Sequence, residues 1–214
     1  MSFSRYTQLR YDGDHSVVGI PNFIMRGFRH RCVITMKDSP ITELSQLAGK
    51  RIGVTGWRDS GNTWTRAAVR REGVQVEDAM WYAGRLTEAH PIVDRLDGFG
   101  RPGLIEAAPG ERPMVDLLRD GQLDAIFTPF MPDGYFANGS PFRQVLSDFR
   151  GAERRYFDEV GYVPGMHLIG IKAEVVEENP WIIAALSQLR GESQRMWLNN
   201  ARKAPARSPA MVDQ

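Results

Sequence analysis

The 214-residue sequence contains a single cysteine, Cys32. That excludes an intrachain disulfide and a thiolate metal cluster. No apolar run approaches the roughly 20 residues of a membrane-spanning helix, so no membrane span is expected. Charge of one sign is also lacking, with 27 Lys and Arg against 26 Asp and Glu. So even a balance gives no electrostatic footprint for nucleic acid or an anionic membrane. No His, Asp and Glu cluster has metal-ligand spacing, and we expect no metal. There is no phosphate loop, no Gly-Xaa-Ser-Xaa-Gly turn and no internal repeat. Residues 1–20 lack the apolar core of a secretory leader. If Met1 is the natural start, a soluble cytoplasmic protein is expected.

What is present is an ordinary globular composition, 42% hydrophobic and 25% charged. The length suits one large domain or two small lobes. The stretch around which the chain is organised is Leu47–Val74. Ile52 and Val54, bounded by glycines, predict a short buried strand. Ser60, Asn62 and Thr63 are residue types that begin helices. Trp64, Ala67 and Ala68 share one helical face, and Gly73 is placed to end the helix in a left-handed conformation. A strand feeding a polar loop and a helix N-terminus is either an ordinary βα unit or an anion site, because free N–H groups and the helix dipole point at a ligand.

Ahead of this stretch, residues 1–20 are polar and weakly patterned. Gly19–Met25 is a short apolar run broken by Pro21. The basic cluster Arg26–Arg31 is either a solvated face or a carboxylate holder, since arginine offers a planar fork. Cys32–Thr35 is a strand candidate, and Ile41–Leu47 a short helix. Beyond it, strands are expected at Ala79–Ala83, Leu123–Thr128, Phe142–Leu146 and Met166–Ile171, the last with His167 near its start. Residues 88–113 read as a long surface loop, followed by a short helix at 113–119. Two prolines make Pro129–Gly134 irregular. Helices are expected at Arg150–Val160 and after Asn179-Pro180, with residues 201–214 a flexible tail. This alternation predicts an α/β fold with a mostly parallel sheet. Ligands of such sheets bind at the carboxyl ends of strands, which here carry Thr55-Gly56-Trp57 and Thr128-Pro129.

Several stretches together resemble the 4,5-dihydroxyphthalate decarboxylases and the related type 2 periplasmic-binding-protein fold. They are Phe28-Arg29-His30, Leu47–Val54, Gly121–Ala125, Tyr156-Phe157, Pro164–His167 and Glu178–Trp181. The resemblance implies two lobes around a cleft. Residues 1–46 and 165–200 would form the first lobe and residues 47–164 the second. Family members usually carry more chain ahead of this starting point, so a shortened first lobe and a possible homo-oligomer are expected.

The activity implied is decarboxylation of a hydroxylated aromatic (di)carboxylic acid without a cofactor. Such a site needs cations for carboxylates, a proton donor and a dry wall for the ring. By that analogy Arg26 and Arg29 clamp carboxylates, and Ser60, Asn62 and Thr63 hold a second oxyanion. Trp57 stacks on the ring, and Thr128 lies at a strand end facing the ligand. Histidine ordinarily titrates near physiological pH, making His167 the expected proton donor. His30, among Arg26, Arg29 and Arg31, is expected to stay neutral and donate or accept a hydrogen bond. His167 could equally be a satisfied core residue; Trp64 and Trp181 read as core, and His15 and His90 carry no role. The alternative function is a non-catalytic substrate-binding protein of an ABC-type uptake system for a small anionic solute.

Overall fold

The computed structural model describes residues 1–203. The part of the expected tail from 204 onward lies outside the described residues, while 201–203 close the last helix.

Among the described residues, eight strands form two sheets: β1 (Val17–Arg26), β2 (Val33–Met36), β3 (Arg51–Val54), β4 (Met80–Ala83), β5 (Ile105–Ala107), β6 (Ala125–Phe127), β7 (Phe142–Gln144) and β8 (Gly165–Lys172). Six of them make one sheet in the order β5-β4-β3-β6-β2-β7. The β5–β4, β4–β3 and β3–β6 pairs are parallel, whereas β2 runs antiparallel to β6 and β7. The protein is therefore mixed α/β with a mostly parallel main sheet, as its sequence predicts.

Both faces of that sheet are covered, which is why its strands read as continuous apolar runs. On one face Ile52 and Val54 pack with Val33, Trp81 and Phe127. Helix α1 is Phe3–Tyr11, and α2 (Ser60–Arg71) lies over this first face through Val69. On the other face Ile34 and Ile126 meet Leu117 and Leu118 of α3 (Met114–Arg119). Gly53 sits where α3 comes close. A β-carbon there would lie 2.8 Å from Met114 Sδ and 2.9 Å from Leu123 Cδ1.

The second sheet is an antiparallel ribbon of β1 and β8. Its register slips between Ile20 and Phe23, next to Pro21, which has no N–H for the ladder. Helix α1 packs on it, with Phe3 edge-on to Phe23 at 4.9 Å and the Gly19 amide donating to Tyr6 Oη. Helix α4 (Phe149–Val160) ends at Gly161, which is left-handed at φ 72°. Helices α5 (Ala173–Glu178) and α6 (Ile182–Lys203) complete the chain, and Arg190 of α6 donates to the Phe23 carbonyl of β1. The two crossings between the sheets touch, since the Gly27 amide donates to the Pro164 carbonyl at 3.0 Å.

Several local expectations are corrected. The polar segment 1–20 contains α1 and the start of β1. The short helix expected over Ile41–Leu47 is a single 3₁₀ turn at Leu44–Leu47. The expected loop over 88–113 contains β5, and α5 was not foreseen. Strand β2 pairs within the main sheet, so a lobe boundary at residue 46 would separate it from its hydrogen-bonded partners.

Candidate functional site

A cavity of about 920 Å³ opens between the ribbon and the main sheet. Its walls come from Arg29 and Arg31 on the first crossing, the start of α2 with Ser2 beside it, the β1–β8 ribbon, the segment that follows β6, and Gln144 of β7 with Phe149 and Arg150 at the start of α4.

Strand β3 delivers the chain to the α2 start. After Val54 the Thr55-Gly56 turn is tied down by Asn62, whose Nδ2 donates to Thr55 Oγ1 at 3.0 Å and to the Gly56 carbonyl at 2.8 Å. Asp59 is the N-cap residue and lines the cavity. Burial holds its carboxyl above the usual aspartate range, opposed by a hydrogen bond from Thr55. Ser60 is buried, and its hydroxyl is 2.7 Å from Ser2 Oγ and accepts from the Ser4 amide at 3.0 Å. The N-terminal serines of α1 thus dock against the start of α2.

Arg29 lies against that same first turn. It is only 8% exposed, and a β-carbon on Gly61 would be 3.3 Å from its Nε. Nη1 reaches Cys32 Sγ at 3.8 Å, but Nε is buried without a hydrogen-bond partner among the described residues. A buried guanidinium nitrogen without an acceptor is costly. An anion between Arg29 and the α2 amides would satisfy it with a charge-assisted bond and the helix dipole together.

The ribbon contributes Met25, Met166 and His167. Met25 and His167 are cross-strand partners, and His167 Nδ1 is 3.2 Å from Met25 Sδ. His167 is half-buried on the cavity wall. The segment after β6 contributes Pro129, Phe130, Met131 and Phe136.

Of the residues singled out by sequence, the cavity brings together Arg29, Ser60, Asn62 and His167. The structure places the others elsewhere. Arg26 is exposed, with its guanidinium 5.2 Å from the centre of the Phe23 ring. Trp57 is core, edge-on to Trp81 at 5.6 Å and covered by the Arg66 guanidinium at 4.0 Å. Thr63 bonds back to the Asp59 carbonyl. Thr128 is fully buried; its hydroxyl donates to the Phe130 carbonyl and accepts from the Phe130 amide. It shapes the cavity wall without lining it.

His30 is buried in an aromatic cluster, with Tyr156 at 5.3 Å and Phe28 at 6.4 Å. Its pKa is pushed down to about 4, first by burial and then by Arg155 of α4. The expected neutrality has a different origin from the neighbouring arginines invoked from sequence. Sequence reasoning missed Met25, Asp59, Met166 and the two phenylalanines. Two prolines flanking Phe130 were the one available signal that this side chain is held out of the sheet.

No group of three or more His, Cys, Asp and Glu side chains placed to hold a metal occurs among the described residues. No described helix is long and apolar enough to cross a membrane.

No family model matches the chain. It is 27% identical over 187 residues to a 4,5-dihydroxyphthalate decarboxylase of Comamonas testosteroni, covering 87% of this chain and 57% of that protein. It is 25% identical over 163 residues to a 4,5-dihydroxyphthalate decarboxylase of Pseudomonas putida, covering 76% and 63%. The chain thus spans about three-fifths of the length of these curated relatives. The resemblance read from its motifs is borne out at this level. Among solved structures, it is similar to the periplasmic aliphatic sulphonate binding protein SsuA from Escherichia coli. That similarity has a TM-score of 0.49 and 14% identity, covering 95% of this chain and 60% of the other. The desulfurization enzyme DSZB matches with a TM-score of 0.38 and 17% identity, covering 79% and 53%.

Proposed function

We propose that the cavity binds a small hydroxylated aromatic (di)carboxylic acid and that the chain releases CO2 from it without a cofactor. One observation carries the binding half: the Arg29 guanidinium, buried and with Nε unpartnered, lies against the first turn of α2. That pair supplies a fixed cation and a helix N-terminus to one carboxylate. The ribbon and main sheet act as two lobes, the second running over 47–164 with β2 added to it.

The catalytic half rests on His167 and on the resemblance to the decarboxylases. A ring hydroxyl pushes electron density toward the carbon that bears the carboxylate. Protonated His167 gives its proton to that carbon. The carbon–carboxylate bond then breaks, its electron pair restores the aromatic ring, and CO2 leaves. Histidine is left neutral and regains a proton from solvent. The buried Met166 beside His167 gives the site an apolar wall that favours loss of charge as CO2 departs.

A second reading is a non-catalytic receptor for a small anionic solute. It is favoured by the contact of His167 Nδ1 with Met25 Sδ, which occupies one ring nitrogen. Calorimetry with 4,5-dihydroxyphthalate tests the shared binding step. Arg29→Gln is expected to weaken binding by about tenfold or more, the loss of one buried charge-assisted contact. Unchanged affinity in that variant would remove the anion site from both readings.

A further inference from the structure

The segment between β6 and β7 holds two phenylalanines in an unusual state. Phe130 is 70% exposed and Phe136 is 83% exposed, yet both line the cavity. The segment itself is anchored. Thr128 brackets Phe130 with two hydrogen bonds. Met131 and Tyr135 turn inward and pack against the cluster beneath the main sheet. Burial of Tyr135 is firm enough to push its phenol up to about 12. Gly134 and Gly139 are left-handed, at φ 76° and 85°. At the far end the Lys37 amide donates to the Pro141 carbonyl and returns the chain to β7. Phe136 is also oriented, edge-on to Tyr135 with ring centres 5.0 Å apart.

Large aromatic side chains are normally buried, and a pair left in water on one concave wall marks a ligand or partner surface. The same cavity carries the buried Arg29 beside the α2 start, with the less buried Arg31 and Arg150 also on its lining. Charge recognition and aromatic recognition are therefore both present, on separate structural elements. We infer that Phe130 and Phe136 are specificity-determining residues that take the ring of the bound acid and select arene over alicyclic carboxylates. This inference rests on the anion-binding reading above. The occupant it commits to is the ring of a carboxylated arene, because an aliphatic chain would gain burial there but no ring–ring contact.

The test uses the full chain and two probes of matched charge, benzene-1,2-dicarboxylate and cis-cyclohexane-1,2-dicarboxylate, with affinities from calorimetry. Wild type is expected to prefer the arene by about tenfold, the scale of two aromatic contacts. Phe130→Leu, Phe136→Leu keeps the apolar bulk and is expected to bring the ratio to within about twofold. Phe130→Ala, Phe136→Ala should also bring the ratio to within about twofold, with both affinities lowered by the lost apolar burial. Arg29→Gln should weaken both acids equally and keep the ratio. A ratio near unity in wild type, or a ratio that survives both double variants, overturns the inference while leaving the anion site standing. Failure of wild type to bind either acid overturns both. A change from dimer to monomer in the double variants, with the ratio intact, would assign the phenylalanines to a second copy and equally overturn it.

Discussion

The main sheet and the β1–β8 ribbon are held together in different ways. In the main sheet Ile52, Val54, Ile126 and Phe127 are fully buried, and both faces are covered by helices or turns. The ribbon has two strands with register slips, and the long helix α6 leaves Leu189 and Trp197 at least 60% exposed, as is Trp181 just ahead of it, against the core position expected from its sequence. A two-stranded sheet has little independent stability and depends on what packs against it. The two regions also divide the cavity. Asp59, Asn62 and the phenylalanine segment stand on the well-packed side, whereas His167 and Met25 stand on the ribbon. On the proposed function, the anion would be held on the well-packed side and the proton given from the less buried element.

Substitutions should expose this contrast. The largest effect is expected at Phe127, fully buried and edge-on to Trp81 at 5.4 Å. Phe127→Ala should lower unfolding stability by about 3–5 kcal/mol, read from the urea midpoint. Equal stability of variant and wild type would mean that the main sheet is not the dominant core.

The next effect is a pH dependence at the junction. His30 has a folded pKa of about 4 against an ordinary 6.5. Between those values the unfolded chain binds a proton that the folded chain does not, so stability falls as pH drops from 6.5 to 4 and is unaffected above it. At about 1.4 kcal/mol per pH unit, this one group removes roughly 3 kcal/mol across the window. His30→Gln should unfold with a flatter acid profile. Parallel profiles for the two proteins would show that His30 is not buried neutral.

Gly53→Ala should cost about 1–3 kcal/mol, because the new methyl meets Met114 and Leu123 under the sheet. Combined with Met114→Ala, itself costly because Met114 is fully buried, it should cost less than the sum of the two single changes, and strict additivity would argue against the clash. The smallest effect belongs to the ribbon side. Leu189→Ala, on the exposed face of α6, should stay within about 0.5 kcal/mol. A loss of several kcal/mol there would mean that α6 is covered in solution.

The β3–α2 unit was legible because its signals are local. Alternating Ile52 and Val54, N-terminal polar residues and Gly73, left-handed at φ 89°, each act within a few positions. Strand β1 was obscured by Pro21 and its register slips, and α1 by its lack of an apolar stripe, none of its residues being buried. Within the site, Arg29 and His167 could be named as residue types that hold anions or move protons. That Arg29 lies on Gly61 could not be read, because the contact joins positions distant in sequence through the fold. Trp57 was misplaced for a related reason. Its position at a strand end suggested a ligand wall, but its ring turns inward onto Trp81, and only the packing of β4 decides that.

The proposed function joins the two regions, with an anion held by Arg29 and the α2 start and a proton delivered from the ribbon. Its most direct test is CO2 release from 4,5-dihydroxyphthalate by wild type and His167→Gln, with calorimetric affinity measured on the same samples. Wild type is expected to release CO2, and His167→Gln to lose turnover by about a hundredfold or more with affinity kept within a few fold. Full turnover in His167→Gln, or tight binding by wild type with no CO2 released, would contradict it and leave the receptor reading in its place.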